Sequence, residues 1–182
     1  MKRPNILFIT TDQQRKDTLG CYGNPLIKTP NIDALAADGL KLNRAYCDNP
    51  ICIPSRNTMI TGKKSYNHGA PCHNSTMSDE VKTLGELLQN NGYETHFIGK
   101  AHFSSQQHPG TPESREDWQA GKWEGFHGPY KGFETCELIL GHSNPLLAHY
   151  GQWMRENHKE DIKKFLEREQ INARLMRHFE IE

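Results

Sequence analysis

No apolar run in this sequence reaches the roughly 20 residues of a membrane span. The basic start, "MKRPNILFIT", has too short an apolar stretch for a secretory signal and no small-residue cleavage site. Read that way, it is a first strand, and the expected location is cytoplasmic. Neither sign of charge is in excess: 22 Lys and Arg balance 22 Asp and Glu. That balance speaks against nucleic acid and an acidic membrane surface as partners. Paired cysteines are missing too. Five cysteines, an odd number without CxxC spacing, exclude a disulfide framework and a zinc site built on cysteine pairs. Hydrophobicity is scarce, at 35% of residues and a mean hydropathy of −0.81, which is polar for a self-sufficient domain of 182 residues. Internal repeats and low-complexity tracts are absent.

What is present alternates strands with helices. Asn5 to Thr10 is a short continuous apolar run, the pattern of a strand buried on both faces. Residues 29–39 predict a helix with Thr29 as N-cap, Pro30 at the first helical position and Gly39 as its stop. Leu40 to Cys47 predicts a short strand, and Pro54 to Gly62 a short helix with proline in its first turn. Ser78 to Gly92 predicts a helix capped by Ser78, with Val81, Leu84, Leu87 and Leu88 on one face. Tyr93 to Gly99 predicts a strand. Short connections between such elements give an α/β class with a largely parallel sheet. Residues 104–130 lose all periodicity and predict an irregular insertion. Residues 150–182 are charged and predict a helical segment. At 182 residues the chain is long enough for one domain with a core.

The chemistry concentrates at Cys52. A bystander thiol is the ordinary reading of one cysteine. Here, however, Pro54 places Cys52 at a helix N-terminus, where free backbone N–H groups and the positive dipole end lie. Arg56 adds a fixed cation with bidentate reach for an oxyanion. The corner binds anions and carries a reactive group. On that basis alone it would equally suit a cysteine nucleophile of the phosphatase kind.

Cys52-Ile53-Pro54-Ser55-Arg56, followed by Thr61-Gly62, resembles the CxPSR…TG signature of the type I sulfatases, formylglycine-dependent members of the alkaline-phosphatase-like superfamily. "NILFITTDQQ" resembles the opening strand of that family with its metal-binding acid, and "GCYGNPLIKTPNIDALAADG" the stretch that follows. "GYETHFIGKAHF" resembles the second signature, which ends in Gly-Lys-x-His, and "HYGQW" is similar to bacterial members. The resemblance implies an α/β/α sandwich with a largely parallel sheet, incomplete in this chain. It implies a sulfatase acting on a small-molecule or carbohydrate sulfate ester. It also implies a maturation enzyme that converts Cys52 to formylglycine.

The family's roles carry over residue by residue. Asp12, Gln13 and the hydrate at residue 52 would hold a divalent cation, Ca²⁺ first and Mg²⁺ second. Arg56 would hold the hydrate and Lys100 the sulfate oxygens. His102 would bond the second hydroxyl and act as its base. His68 and Asn74 would line the pocket, with Asn74 touching substrate. His127, His142 and His149 read as loop polar groups rather than ligands.

The sequence departs from the family at Ile53, where small residues are usual, at Ala101, where an aromatic is usual, and at Gln13, which stands for a second aspartate. The later Asp-Asn or Asp-His pair and the leaving-group histidine are missing. The expectation is therefore the N-terminal part of a longer enzyme, inactive alone. The alternatives are a phosphonate or phosphate diester hydrolase using the same formylglycine, and a truncated non-catalytic fragment.

Overall fold

The computed structural model describes residues 3–142, 146–165 and 167. The chain divides into two compact units, Met1–Tyr46 and Cys47–Glu182.

The first unit is built on helix α1 (Pro30–Asp38) and two 3-10 turns, Lys16–Thr18 and Gly20–Tyr22. Pro30 opens α1 as the sequence predicts, but Thr29 does not cap it through its side chain. Thr29 Oγ1 instead accepts from Gly20 N (2.8 Å) and donates to Asp33 Oδ1 (3.0 Å), which also takes Cys21 N at 2.6 Å. A polar knot thus ties the turns to the helix. The two strands expected here, Asn5 to Thr10 and Leu40 to Cys47, are not formed. A β-strand exists only through a ladder partner. Both segments lack one among the described residues and lie exposed, with Ile6 to Ile9 at 58–85% accessibility.

The second unit holds the core. Strands β1 (His96–Gly99) and β2 (Thr135–Leu138) pair in parallel, with Phe97 opposite Cys136 and Gly99 opposite Leu138. The ladder continues one step, from Ile139 N to Gly99 O at 2.9 Å. Around this pair lie α2 (Cys52–Thr61), α3 (Leu84–Asn90), α4 (Arg115–Gln119) and α5 (Ala148–Asn157). Helix α2 buries Ile53, Pro54, Asn57 and Ile60, a face at helical spacing. Ile53 is therefore a core anchor, which accounts for a large residue there. Ala101 is buried as well, beside Phe103 in the chain. Phe103 packs against Phe97, Tyr130 and Phe133 at ring separations of 5.3, 6.0 and 6.3 Å.

Helix α3 starts five residues later than the sequence predicts, and its cap is Thr83 rather than Ser78. Thr83 and Glu86 form a capping box, with Thr83 N to Glu86 Oε2 at 2.8 Å and Glu86 N to Thr83 Oγ1 at 3.2 Å. That box beats Ser78 because it satisfies two orphan donors at once. The helix also meets backbone closely: a Cβ on Gly85 would lie 2.5 Å from the Gly132 carbonyl oxygen. Residues 104–130 are mostly irregular, with α4 inside them, yet Ser104, Ser105, Glu113, Ser114 and Asp117 are buried. Residues 159–165 are helical beyond α5; the rest of the expected helix to residue 182, apart from residue 167, lies outside the described residues. No described helix is long and apolar enough to cross a membrane.

Candidate active site

Helix α2 begins two residues earlier than the sequence predicts, with Ile51 as N-cap and Cys52 as its first residue. Pro54 still falls in the first turn, where a missing N–H costs nothing. The loop after β1 carries the second cluster. Lys100 leaves the carboxyl end of the strand, the place where open α/β sheets put ligands. Lys100 Nζ reaches 3.5 Å from Cys52 Sγ. Arg56, one turn into α2, donates from its guanidinium to the carbonyl of Lys100. Cys52, Arg56, Lys100 and His102 are therefore brought together in the second unit.

His102 is buried and takes a left-handed backbone, φ 53°. Burial, then the charges of Lys100, His73, Arg56 and His142, push its imidazole down to about 4. It is neutral at ordinary pH. Its Nδ1 is buried and has no hydrogen-bond partner among the described residues. The His73 ring meets it edge-on at 5.5 Å.

Two further residues hold this loop. Asn57 Nδ2 donates to the carbonyls of Ile53 (2.8 Å), Phe103 (3.3 Å) and His102 (3.5 Å). Glu113, wholly inside the protein, accepts from the N–H groups of His102, Phe103 and Ser104 and from the Tyr130 hydroxyl. Burial pushes its carboxyl up to about 7 against those bonds, which favour the ionised form. The Asn57 role had a signal in the sequence, an amide on the apolar face of α2. Glu113, Tyr130 and His73 had none.

The remaining expected residues fall elsewhere. Asn74 lies exposed in the turn after Cys72 and makes none of these bonds. His68 is a strut of the core: Nδ1 accepts from Ala70 N and Nε2 faces Thr58 Oγ1, both at 3.2 Å, and burial lowers its pKa. His149 has both ring nitrogens committed, Nδ1 to Leu138 N at 2.8 Å and Nε2 to the Phe126 carbonyl. It groups with His127 and Glu137 within metal-binding range, but those two bonds leave it no lone pair for an ion. His142 faces His102 electrostatically.

Asp12 and Gln13 belong to the first unit, at an exposed bend where Gln13 has φ 56°. They offer a carboxylate and an amide oxygen. Such hard donors suit Ca²⁺ or Mg²⁺ in kind, though two residues alone do not fill a six-oxygen shell.

The fold places the chain in a class, the alkaline-phosphatase-like hydrolases, through its solved neighbours. The phosphonate monoester hydrolase of Agrobacterium radiobacter has this fold, with a TM-score of 0.64 and 26% identity over 87% of this chain and 30% of that one. So has an enzyme solved with its substrate D-glucosamine-2-N,6-O-disulfate, at a TM-score of 0.61 and 32% identity over 78% of this chain and 24% of that one. A model of the Sulfatase family matches residues 4–170, and the chain belongs to that family of sulfuric ester hydrolases. The N-acetylglucosamine-6-O-sulfatase of Bacteroides thetaiotaomicron is 36% identical over 143 residues, 74% of this chain and 26% of that relative. The chain spans about a quarter of the length of the curated relatives it matches.

Proposed function

We propose that this chain supplies the nucleophile and the sulfate-binding corner of an enzyme that hydrolyses carbohydrate sulfate esters. The observation that supports this reading best is Lys100 Nζ at 3.5 Å from Cys52 Sγ, at the N-terminus of α2. As formylglycine, residue 52 would supply an aldehyde hydrate: one hydroxyl would attack sulfur and expel the alcohol, and the other would then collapse to the aldehyde and eject sulfate. Asp12 and Gln13 would hold a divalent cation, whose charge such sulfate-ester chemistry draws on.

The chain's own groups do the rest. Lys100 places a positive charge where sulfate oxygens gather charge in the transition state. Arg56 ties the Lys100 backbone to α2, so cation and nucleophile share one rigid frame. His102 is neutral and offers the buried Nδ1 as proton acceptor. Its low basicity comes, after burial, from neighbouring cations, so an arriving sulfate ester anion would offset them and raise its affinity for a proton.

The test begins with the tryptic peptide Ala45–Arg56 from enzyme made beside a maturation enzyme. It should carry the mass of the aldehyde at residue 52. An unmodified thiol together with full activity would sink the mechanism. The same protein should then be assayed on 6-O-sulfated glucosamine and on an aryl phosphonate. Faster turnover of the phosphonate would favour the chemistry of the Agrobacterium neighbour instead.

A further inference from the structure

We infer that Glu113 is a positioning residue, one that fixes His102 for the reaction by gripping the backbone of the loop that carries it; the inference rests on the sulfate-ester reading above. The loop from Lys100 to Ser104 is held from two sides. On the α2 side, Arg56 and Asn57 donate to its carbonyls at Lys100, His102 and Phe103. On the opposite side, Glu113 collects its amides. Oε2 accepts from His102 N at 2.5 Å, and Oε1 accepts from Phe103 N at 2.7 Å and Ser104 N at 3.0 Å. Tyr130 Oη donates to the same Oε1 at 3.0 Å.

Two features make this more than packing. First, all four groups donate to one carboxyl, which gathers three consecutive backbone amides of a single loop and a hydroxyl from outside it. Bridging two loops in a core does not require so many bonds on one side chain. Second, His102 occupies the left-handed region, which a residue with a Cβ keeps only when its surroundings enforce it. The Glu113 bond to the His102 amide is the contact that does so. Glu113 is itself only 2% exposed, so its influence on substrate runs through His102.

A carboxylate can accept on both oxygens, whereas a glutamine side chain accepts on one and donates from the other. In Glu113→Gln the amide oxygen can keep Phe103, Ser104 and Tyr130. Its NH₂ then faces the His102 N–H, donor against donor. The substitution preserves volume and removes one bond, the one that matters here.

The experiment uses the full-length, matured enzyme with 6-O-sulfated glucosamine as substrate. Glu113→Gln should lower kcat by about 10- to 100-fold, the scale of a small misplacement of a reacting group, with KM almost unchanged. Hydrogen exchange at the His102 amide should accelerate while Phe103 and Ser104 stay protected. Tyr130→Phe removes a donor from Glu113 while keeping the ring that packs on Phe103, and should keep kcat near wild type. Wild-type kcat in Glu113→Gln, or an equal fall in Tyr130→Phe, overturns the proposal. Should the glutamine variant not fold, Glu113→Asp keeps the carboxyl group and shortens the reach; wild-type kcat in that variant also overturns it. A wild-type enzyme inactive on sulfate esters refutes the sulfate-ester reading instead. The His102 amide then decides the clamp alone, since retained protection in Glu113→Gln overturns it whatever the reaction.

Discussion

The units Met1–Tyr46 and Cys47–Glu182 differ in what holds them. In the first, no described residue is buried, and Leu7, Leu26, Leu40 and Tyr46 are each more than 80% exposed. Its order comes from polar contacts: the Thr29–Asp33 knot, Lys41 Nζ to the Cys21 carbonyl, and Tyr22 Oη to the Leu42 carbonyl, the last two at 2.7 Å. The second unit buries Ile53, Phe103, Leu138 and Leu140 almost completely. Local signals suffice for a helix such as α1, whose bonds close within the segment. A strand needs a neighbour, and burial needs an opposing surface. The comparison therefore separates what each unit contributes to function from what it contributes to stability.

The largest effect should be on function, and should fall on both units alike. On the reading proposed above, Asp12→Ala abolishes turnover and lowers metal content, measured by elemental analysis. Lys100→Ala lowers kcat by about 10²–10³, the scale of one lost oxyanion donor. A variant at either position with wild-type turnover would remove that residue from the proposed mechanism. Stability should instead divide the units. Phe103→Ala should cost about 3–5 kcal/mol in denaturant unfolding, because three aromatic rings lose their partner. Thr83→Ala should cost about 1 kcal/mol, by loss of the capping box on α3. Smallest of all, Leu7→Ser in the first unit should change stability by less than about 0.5 kcal/mol. A larger loss there would mean that Leu7 is covered in solution.

Legibility in the sequence followed the range of the interactions. Pro30 announces α1 and Gly62, with φ 65°, ends α2, because both signals act on their own turn. Cys52, Arg56, Lys100 and His102 could be named from short motifs, and the geometry now relates them. Strand β2 was missed. Thr135 and Glu137 alternate with buried Cys136 and Leu138, but four residues are too short a period to stand out. The strand at Asn5 to Thr10 was overcalled for the opposite reason: an apolar run shows what could be buried, not that anything covers it. Glu113 was illegible because its bonds reach across 9 to 17 residues of irregular chain, a distance no local pattern encodes.

The opposite environments of Glu113 and His102 also set how many protons folding exchanges with solvent. In the unfolded chain the two titrate near 4.5 and 6.5, so between those values they are an anion and a cation. Folded, with values of about 7 and about 4, the same pair is an uncharged acid and an uncharged base. Each state then holds one proton on the pair, and linkage gives no net slope of stability with pH. Single substitutions should expose the two hidden slopes. In Glu113→Gln, depressed His102 remains, and stability is lost as pH falls from 6.5 towards 4. In His102→Gln, elevated Glu113 remains, and stability is lost as pH rises from 4.5 through 7. Each slope has a ceiling of about 1.4 kcal/mol per pH unit. His68, also lowered by burial, adds the same slope to all three proteins, so the differences in Tm from wild type carry the result. Parallel Tm curves for the three proteins between pH 4.5 and 6.5 would show that no such compensation exists.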